Sequence, residues 1–476
     1  MRRGHEHAGI LTPVPLPQPQ GQQREVVVFP PRGHLVVLGT AGSGKTTMAV
    51  HRAVYLGDER MDHGGRTLLV TFNRALLAYI NEMRPRELRN VEVVNYHAFA
   101  RGYLNSQGLM GWNWVVEEAR REQLVTRALE NVRIRRVGES VLQRPPEFFV
   151  AELRYLAQHG LVTRAAYLAA DRVGRGRALD RATVRPIVFE VFDQYRTLRD
   201  AEGFRYDWDD LAVGVRQAFE RDGGARMYRH VVVDEGQDFS PEMLRSLAVA
   251  VPSGGSLSFF GDVAQQIYGR GLSWRSAGLN VRATKQFTRN YRNSPQIAEL
   301  GLAIADMPYF AGQPDMVRPT GFAAAGPPPT LVRLADMATE TSFVVEQARE
   351  AARSGSVAVL TRRQADETRF LNRFLESQRL HRELATWDPN PGISVGTVHS
   401  AKGFEFDTVI VVGLSADRWP EPMAVTADGE AEAAAIDGRL LYVAVTRARQ
   451  NLIMTTTGPL TTLMPARSDL WTETAL

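Results

Sequence analysis

The chain has 476 residues, 44% of them apolar and 23% charged, which is length for about three ordinary domains and too much for one small binding module. No stretch approaches the roughly 18 consecutive apolar residues of a membrane span, and the opening MRRGHEHAGILTPVP lacks the apolar run of a secretory signal, so a cytoplasmic protein with no membrane contact is expected. The absence of cysteine excludes disulfides, thiolate zinc sites and cysteine nucleophiles, so any metal must be held by oxygen or nitrogen.

In chain order, residues 1–23 read as a flexible leader, because TPVPLPQPQGQQ is rich in proline and glutamine. Residues 34–38 form a short apolar run, GTAGSGKT follows at 39–46, and 47–56 is apolar at near-helical spacing, which predicts strand, glycine loop and helix. Further apolar runs at 67–71, 91–95, 230–233, 257–260, 357–360 and 408–413 predict buried parallel strands between helices. Between about 101 and 200 the strand signal is replaced by helical periodicity with arginine on the polar face, at 115–134 and 148–170. GFAAAGPPPT at 321–330 reads as a surface linker and ADGEAEAAAIDG at 427–438 as an acidic, partly helical loop. The fold class is therefore α/β with two clusters of parallel strands.

The net charge of +4 permits nucleic-acid binding without requiring it. Lysine appears only three times, at Lys45, Lys285 and Lys402, and the remaining 54 basic residues are arginine. Two of these lysines fall inside motifs, where a compact ammonium differs from a planar guanidinium; Lys285 has no assignment.

GTAGSGKT fits a phosphate-cradling loop. The backbone of Gly39, Thr40, Ala41, Gly42, Ser43 and Gly44 presents N–H groups to phosphates, Lys45 reaches the β and γ oxygens, and Thr46 binds magnesium. HVVVDEGQD at 230–238 delivers two carboxylates to the end of a buried strand, Asp234 for Mg2+ and Glu235 for the attacking water. The pair of motifs points to nucleotide hydrolysis.

GDVAQQIY at 261, NYRNS at 290, GTVHSAKGFEFD at 396 and YVAVTRAR at 442 follow in order. With the two upstream motifs, these strings resemble superfamily 1 helicases of the UvrD, Rep and PcrA type, over about residues 23–449. The resemblance implies two RecA-like P-loop lobes with ATP between them: lobe 1A at 24–100 and 201–285, a helical insertion 1B at 101–200, and lobe 2A at 286–476. It further implies that Gln23 reads the adenine, Tyr291 stacks on it, Glu405 binds the ribose, Gln265 senses the γ-phosphate, Arg292 reaches the γ-phosphate, and Arg447 is the second-lobe arginine that enters the site when the cleft closes. On the strand side it implies DNA contacts from Phe72 and Asn73 of TFNRA, Tyr96 and His97 of NYHAF, and His399 and Ser400. Phe72 is open to a core reading as well, and Phe99 is read as core.

Three features depart from that family. Thr47 stands where an arginine sandwiches the adenine. Arg270 stands where a tryptophan stacks on a base, the nearest tryptophan being Trp274. The large 2B insertion is essentially absent, and little chain follows the last motif.

The leading expectation is an ATP-dependent 3′-to-5′ single-stranded DNA translocase or helicase acting on single-stranded DNA or a 3′-tailed duplex. The second is a nucleic-acid-stimulated ATPase or sensor that works with a protein partner such as a nuclease, in repair or anti-phage defence, and unwinds weakly by itself. A nucleotide-switched scaffold would have no need of Glu235, Gln265 and Arg447 together, and a small-molecule P-loop kinase leaves the second-lobe motifs unexplained.

Overall fold

The computed structural model describes residues 17–71, 89–172, 178–224, 226–262, 274, 277–310, 317, 321–322, 326–374, 376–380 and 392–476. Its strands are β1 (Gly33–Gly39), β2 (Thr67–Thr71), β3 (Val91–Asn95), β4 (Val115–Val116), β5 (Tyr206–Asp207), β6 (His230–Val233), β7 (Ser256–Gly261) and β8 (Val281–Phe287) in the first part. The second part has β9 (Arg289–Asn290), β10 (Gly321–Phe322), β11 (Thr330–Arg333), β12 (Ser356–Thr361), β13 (Gln378–Arg379), β14 (Gly392–Thr397), β15 (Phe406–Val411), β16 (Ala448–Thr456) and β17 (Thr472–Ala475).

Two parallel sheets result, one ordered β3-β2-β6-β7-β1-β8 and the other β13-β14-β12-β15-β16-β11-β17. Parallel strands need both faces covered, so they read as unbroken apolar runs whose alternate side chains enter different cores. In β1, Leu35 and Val37 face a core with Met48 and Ala53 of helix Lys45–Gly57, while Val36 and Leu38 face one with Tyr96 and Leu244. The second sheet divides likewise: Val357 and Val359 pack with Val344 of helix Met337–Ala351, and Ala358 and Leu360 with Leu440 and Tyr442 of helix Glu430–Thr446.

The helical insertion has its own core, with Leu124, Leu129, Phe149, Leu156 and Phe192 drawn from helices Glu118–Arg135, Pro146–Gln158 and Arg185–Ala201. It leaves the first lobe after helix Tyr96–Ser106, whose Phe99, Ala100 and Leu104 belong to the first lobe's core, a few residues later than expected. Its return passes through β5, parallel to β4.

Other expectations are corrected. The leader ends earlier, because Gln22–Val27 is a helix with Val26 and Val27 buried. The acidic stretch at 427–438 is mostly helix: Glu430–Thr446 carries a fully buried Asp437 that receives Arg362 Nε at 2.9 Å and Nη2 at 2.7 Å. The 321–330 segment begins with β10, paired to β9. Among the described residues no helix is long and apolar enough to cross a membrane.

Candidate active site between the lobes

The carboxyl ends of β1, β6 and β7 gather the expected chemistry on one edge of the first sheet, where parallel sheets place ligands. After β1 the loop turns through Gly42 (φ 74°) and Gly44 (φ 82°), and helix Lys45–Gly57 starts at once. Gly42 is tightly enclosed: a Cβ there would lie 2.4 Å from Arg292 Cβ and 2.5 Å from Asn290 Oδ1. Its carbonyl accepts the Tyr291 N–H at 2.8 Å, so the loop is seated directly on the NYR segment.

Lys45 is buried and donates to the carbonyls of Gly39 at 3.0 Å and Thr40 at 2.6 Å, with Asp262 at 3.9 Å. Burial lowers its pKa, opposed by Asp262 and Glu235. At the end of β6 both oxygens of Asp234 are buried without a well-formed hydrogen bond. Burial and the adjacent Glu235 push Asp234 up to about 8, and the nearby Thr46 side chain offsets only part of that. Such a buried, unpartnered carboxylate next to a hydroxyl fits a hard divalent cation with oxygen ligands.

Glu235 adopts left-handed backbone (φ 49°, ψ 40°), unusual for a non-glycine residue and a mark of imposed geometry. Gln237 holds it, donating Nε2 to Glu235 Oε2 at 2.5 Å while its Oε1 accepts the Asp262 N–H at 2.9 Å. Burial would raise the Glu235 carboxyl, but Lys45 and then Lys402 outweigh it and hold it low. Glu235 is thus kept ionised and aimed, as an acceptor for water requires.

Lys402 belongs to the second lobe, and its ammonium pairs with Asp238, three residues after Glu235. Arg447, at the C-cap of helix Glu430–Thr446, is buried and donates Nη1 to Phe404 O and Nε to Val443 O, both at 3.2 Å. Burial and then Arg292 lower its pKa to about 10, with Glu235 and Asp262 opposing, so its charge is felt across the cleft. Tyr442 reaches the same place: burial and Asp262 raise its phenol, while the Ala41 backbone amide acts the other way. Cations from one lobe therefore converge on carboxylates of the other.

Residues 20–291 match the family described as the UvrD/REP helicase N-terminal domain, and residues 363–458 match the UvrD-like helicase C-terminal domain. The chain belongs to the UvrD-like helicases. The ATP-dependent DNA helicase UvrD2 of Mycobacterium tuberculosis is 24% identical over 557 aligned residues, covering 91% of this chain and 78% of that protein. A probable DNA helicase of Mycoplasma pneumoniae is 23% identical over 464 residues, covering 91% and 82%. UvrD1 of Mycobacterium tuberculosis is 30% identical over 305 residues, covering 58% and 36%.

In this UvrD-like helicase, Gln23 sits beside the phosphate loop. Its Nε2 donates to Ser43 O at 3.3 Å and its Oε1 accepts the Gln20 N–H at 3.2 Å. The short helix that bears it is tied down by fully buried Arg52, whose Nη1 donates to Val27 O at 2.8 Å and Phe29 O at 2.6 Å. Lys285 pairs with Glu25 of that helix at 3.5 Å. Thr47 lies half-buried in helix Lys45–Gly57. Arg292 and Glu405 do not stand free for phosphate and ribose: Arg292 Nε lies 2.9 Å from Glu405 Oε2 and Nη2 donates to Oε1 at 2.9 Å. Burial would raise Glu405, but Arg292 and Arg449 hold it at about 2.

On the strand side, Phe72, Asn73, Gln265 and Arg270 lie outside the described residues. Tyr96 is corrected: its ring is 1% exposed and its hydroxyl is 2.7 Å from Ser246 Oγ, so it is core and has no face for a base. Trp274 is half-buried, packing edge-on against Phe259 at 4.8 Å alongside the first lobe's core. Phe99 is core as read. His97 is half-buried, and His399 and Ser400 are half-buried at the end of β14, where Ser400 N donates to Thr397 Oγ1 at 3.2 Å.

Several contributors escaped the sequence reading: Asp262, Gln237, Asp238, Tyr442 and Trp208. Trp208 lies half-buried 5.2 Å from the His97 ring, with the Arg101 guanidinium 6.0 Å from its own. The flanking carboxylates are pinned, Asp207 by Tyr195 Oη at 2.8 Å and Arg121 Nε at 3.2 Å, and Asp210 by Arg199. The string YDWDD was the available signal, an aromatic residue fixed between paired acids.

Proposed function

We propose that this chain hydrolyses ATP between its two lobes and uses the cycle to move 3′ to 5′ along single-stranded DNA, opening a 3′-tailed duplex. The observation that carries the reading is the assembly of one catalytic set from both lobes, Lys45, Asp234 and Glu235 on one side and Arg447 and Lys402 on the other. In phosphoryl transfer, negative charge spreads over the γ-phosphoryl oxygens, so a cation brought in by the second lobe makes hydrolysis depend on closure. Glu235 orients the attacking water, Lys45 and the loop amides hold the phosphates, and Arg447 completes the charge shell. Thr46 and Asp234 would hold magnesium, which neutralises phosphate charge when bound.

Gln23 is engaged on one donor and one acceptor, leaving one of each free. That complement matches N6–H and N7 of adenine and mismatches the two acceptors of guanine, which supports ATP as the fuel. His97, Trp208, His399 and Ser400 would contact successive nucleotides, aromatic faces serving any base. Arg292 reaches phosphate only after leaving Glu405.

Tailed duplexes test the polarity. Unwinding of a 3′-tailed substrate with ATP, and little of a 5′-tailed one, is the expected result; the reverse preference would contradict it. Strand-stimulated hydrolysis with no unwinding of either substrate would move the reading to an ATPase that needs a partner.

A further inference from the structure

Beside the phosphate loop lies a cleft of about 330 Å3 whose walls include Gln23, Ser43, Phe287, Arg289 and Tyr291. Tyr291 is 40% exposed, and the Arg289 guanidinium carbon lies 5.2 Å from its ring centroid. Among the described lining residues Arg289 is the one cation, and Thr47 does not reach the cleft. Two planar groups that sandwich a base each stay about 3.5 Å from it, so a sandwich needs about 7 Å between them. The present spacing is too narrow by about 2 Å. The Arg289 side chain is exposed, and a change of rotamer moves it that far.

Resting on the ATP reading above, we propose that Arg289 is the second wall of the base site, lifting off Tyr291 and closing over the outer face of the purine. The departure at Thr47 is thereby answered from a different element, β9. A guanidinium is drawn to the π face of a ring, and adenine and guanine share that feature. Arg289 therefore adds affinity without choosing the base, and the choice rests on the Gln23 amide.

The test is titration of the whole chain with fluorescent (mant) ATP, GTP and ITP, with inorganic tripolyphosphate as a competitor that has no base. Arg289→Ala is expected to weaken all three nucleotides by one common factor, about 3- to 30-fold, and to leave tripolyphosphate unchanged. Gln23→Ala is expected to weaken ATP more than GTP. Arg289→Lys, which keeps the charge without the plane, should recover only part of the loss. Unchanged nucleotide affinity in Arg289→Ala overturns the inference while leaving the ATP reading intact. A loss shared by tripolyphosphate also overturns it, because Arg289 would then serve phosphate. Failure of the wild-type chain to bind any nucleotide would sink both readings together.

Discussion

Gly42 shows how little latitude the site has at the residue scale. With φ at 74° and neighbours 2.4 and 2.5 Å from a would-be Cβ, Gly42→Ala must push the loop off Arg292 and Asn290 as well as strain its own backbone. Loss of most nucleotide affinity is expected, together with about 1 to 3 kcal/mol of stability; calorimetric titration and urea unfolding check the two parts. Glu235→Gln keeps the shape but removes the charge that Lys45 and Lys402 maintain. It should bind ATP near wild-type affinity and lose nearly all turnover, and wild-type turnover would remove Glu235 from its role. Tyr96→Phe separates core from track. It deletes the bond to Ser246, so about 1 kcal/mol of stability should go while affinity for single-stranded DNA stays unchanged in a fluorescence titration.

At the scale of elements, the junction at β5 fixes the insertion to the first lobe and presents Trp208 next to His97. Trp208→Ala should weaken single-stranded DNA by about 5- to 100-fold, the worth of one lost stack, with ATP affinity little changed in the absence of DNA; equal loss of both would mean the tryptophan is structural. A pH effect belongs to β6. Its first residue, His230, is fully buried, with Nδ1 2.7 Å from Ser256 Oγ and Nε2 2.8 Å from His63 O, and burial lowers its pKa to about 4. Between about 6.5 and 4 the unfolded chain takes up a proton that the folded chain refuses, so the stability contributed by neutral His230 is present above about 6.5 and lost as pH falls toward 4. Denaturant unfolding at pH 7 and pH 5 should show a larger drop for wild type than for His230→Gln.

What was legible in the sequence at this scale was whatever is local. The apolar runs of β1, β2, β6, β7, β12 and β15 read as parallel strands, because burial on both faces leaves no polar alternation, and GTAGSGKT and HVVVDEGQD carry their backbone geometry within eight and nine residues. Contacts made across long separations were not legible: Lys402 with Asp238 is 164 positions apart, and Arg52 caps a helix 25 positions upstream. Tyr96 misled because a strand-to-helix boundary does not reveal which way a ring turns.

At the scale of the whole molecule, the proposed cycle makes the second lobe a catalytic component as well as a binding one. Arg447 approaches the carboxylate edge of the first sheet from the end of helix Glu430–Thr446, and Lys402 from the turn that carries His399 and Ser400, three and two positions before it. If His399 and Ser400 hold the strand as proposed, a shift of the DNA at that turn would act on the ion pair beside Glu235. β13 and β14 are parallel neighbours joined through residues 380–391, a span far shorter than a domain, so we expect duplex opening to rest on the two lobes and the insertion without a 2B module. The most direct test is steady-state ATP hydrolysis with and without single-stranded DNA, in wild type and in Arg447→Ala, with Lys45→Ala as the blank. Strong stimulation by DNA is expected in wild type, with a fall of about 10³ or more in Arg447→Ala and DNA affinity retained. Wild-type turnover in Arg447→Ala, or hydrolysis indifferent to DNA in the unaltered chain, would contradict the proposed cycle.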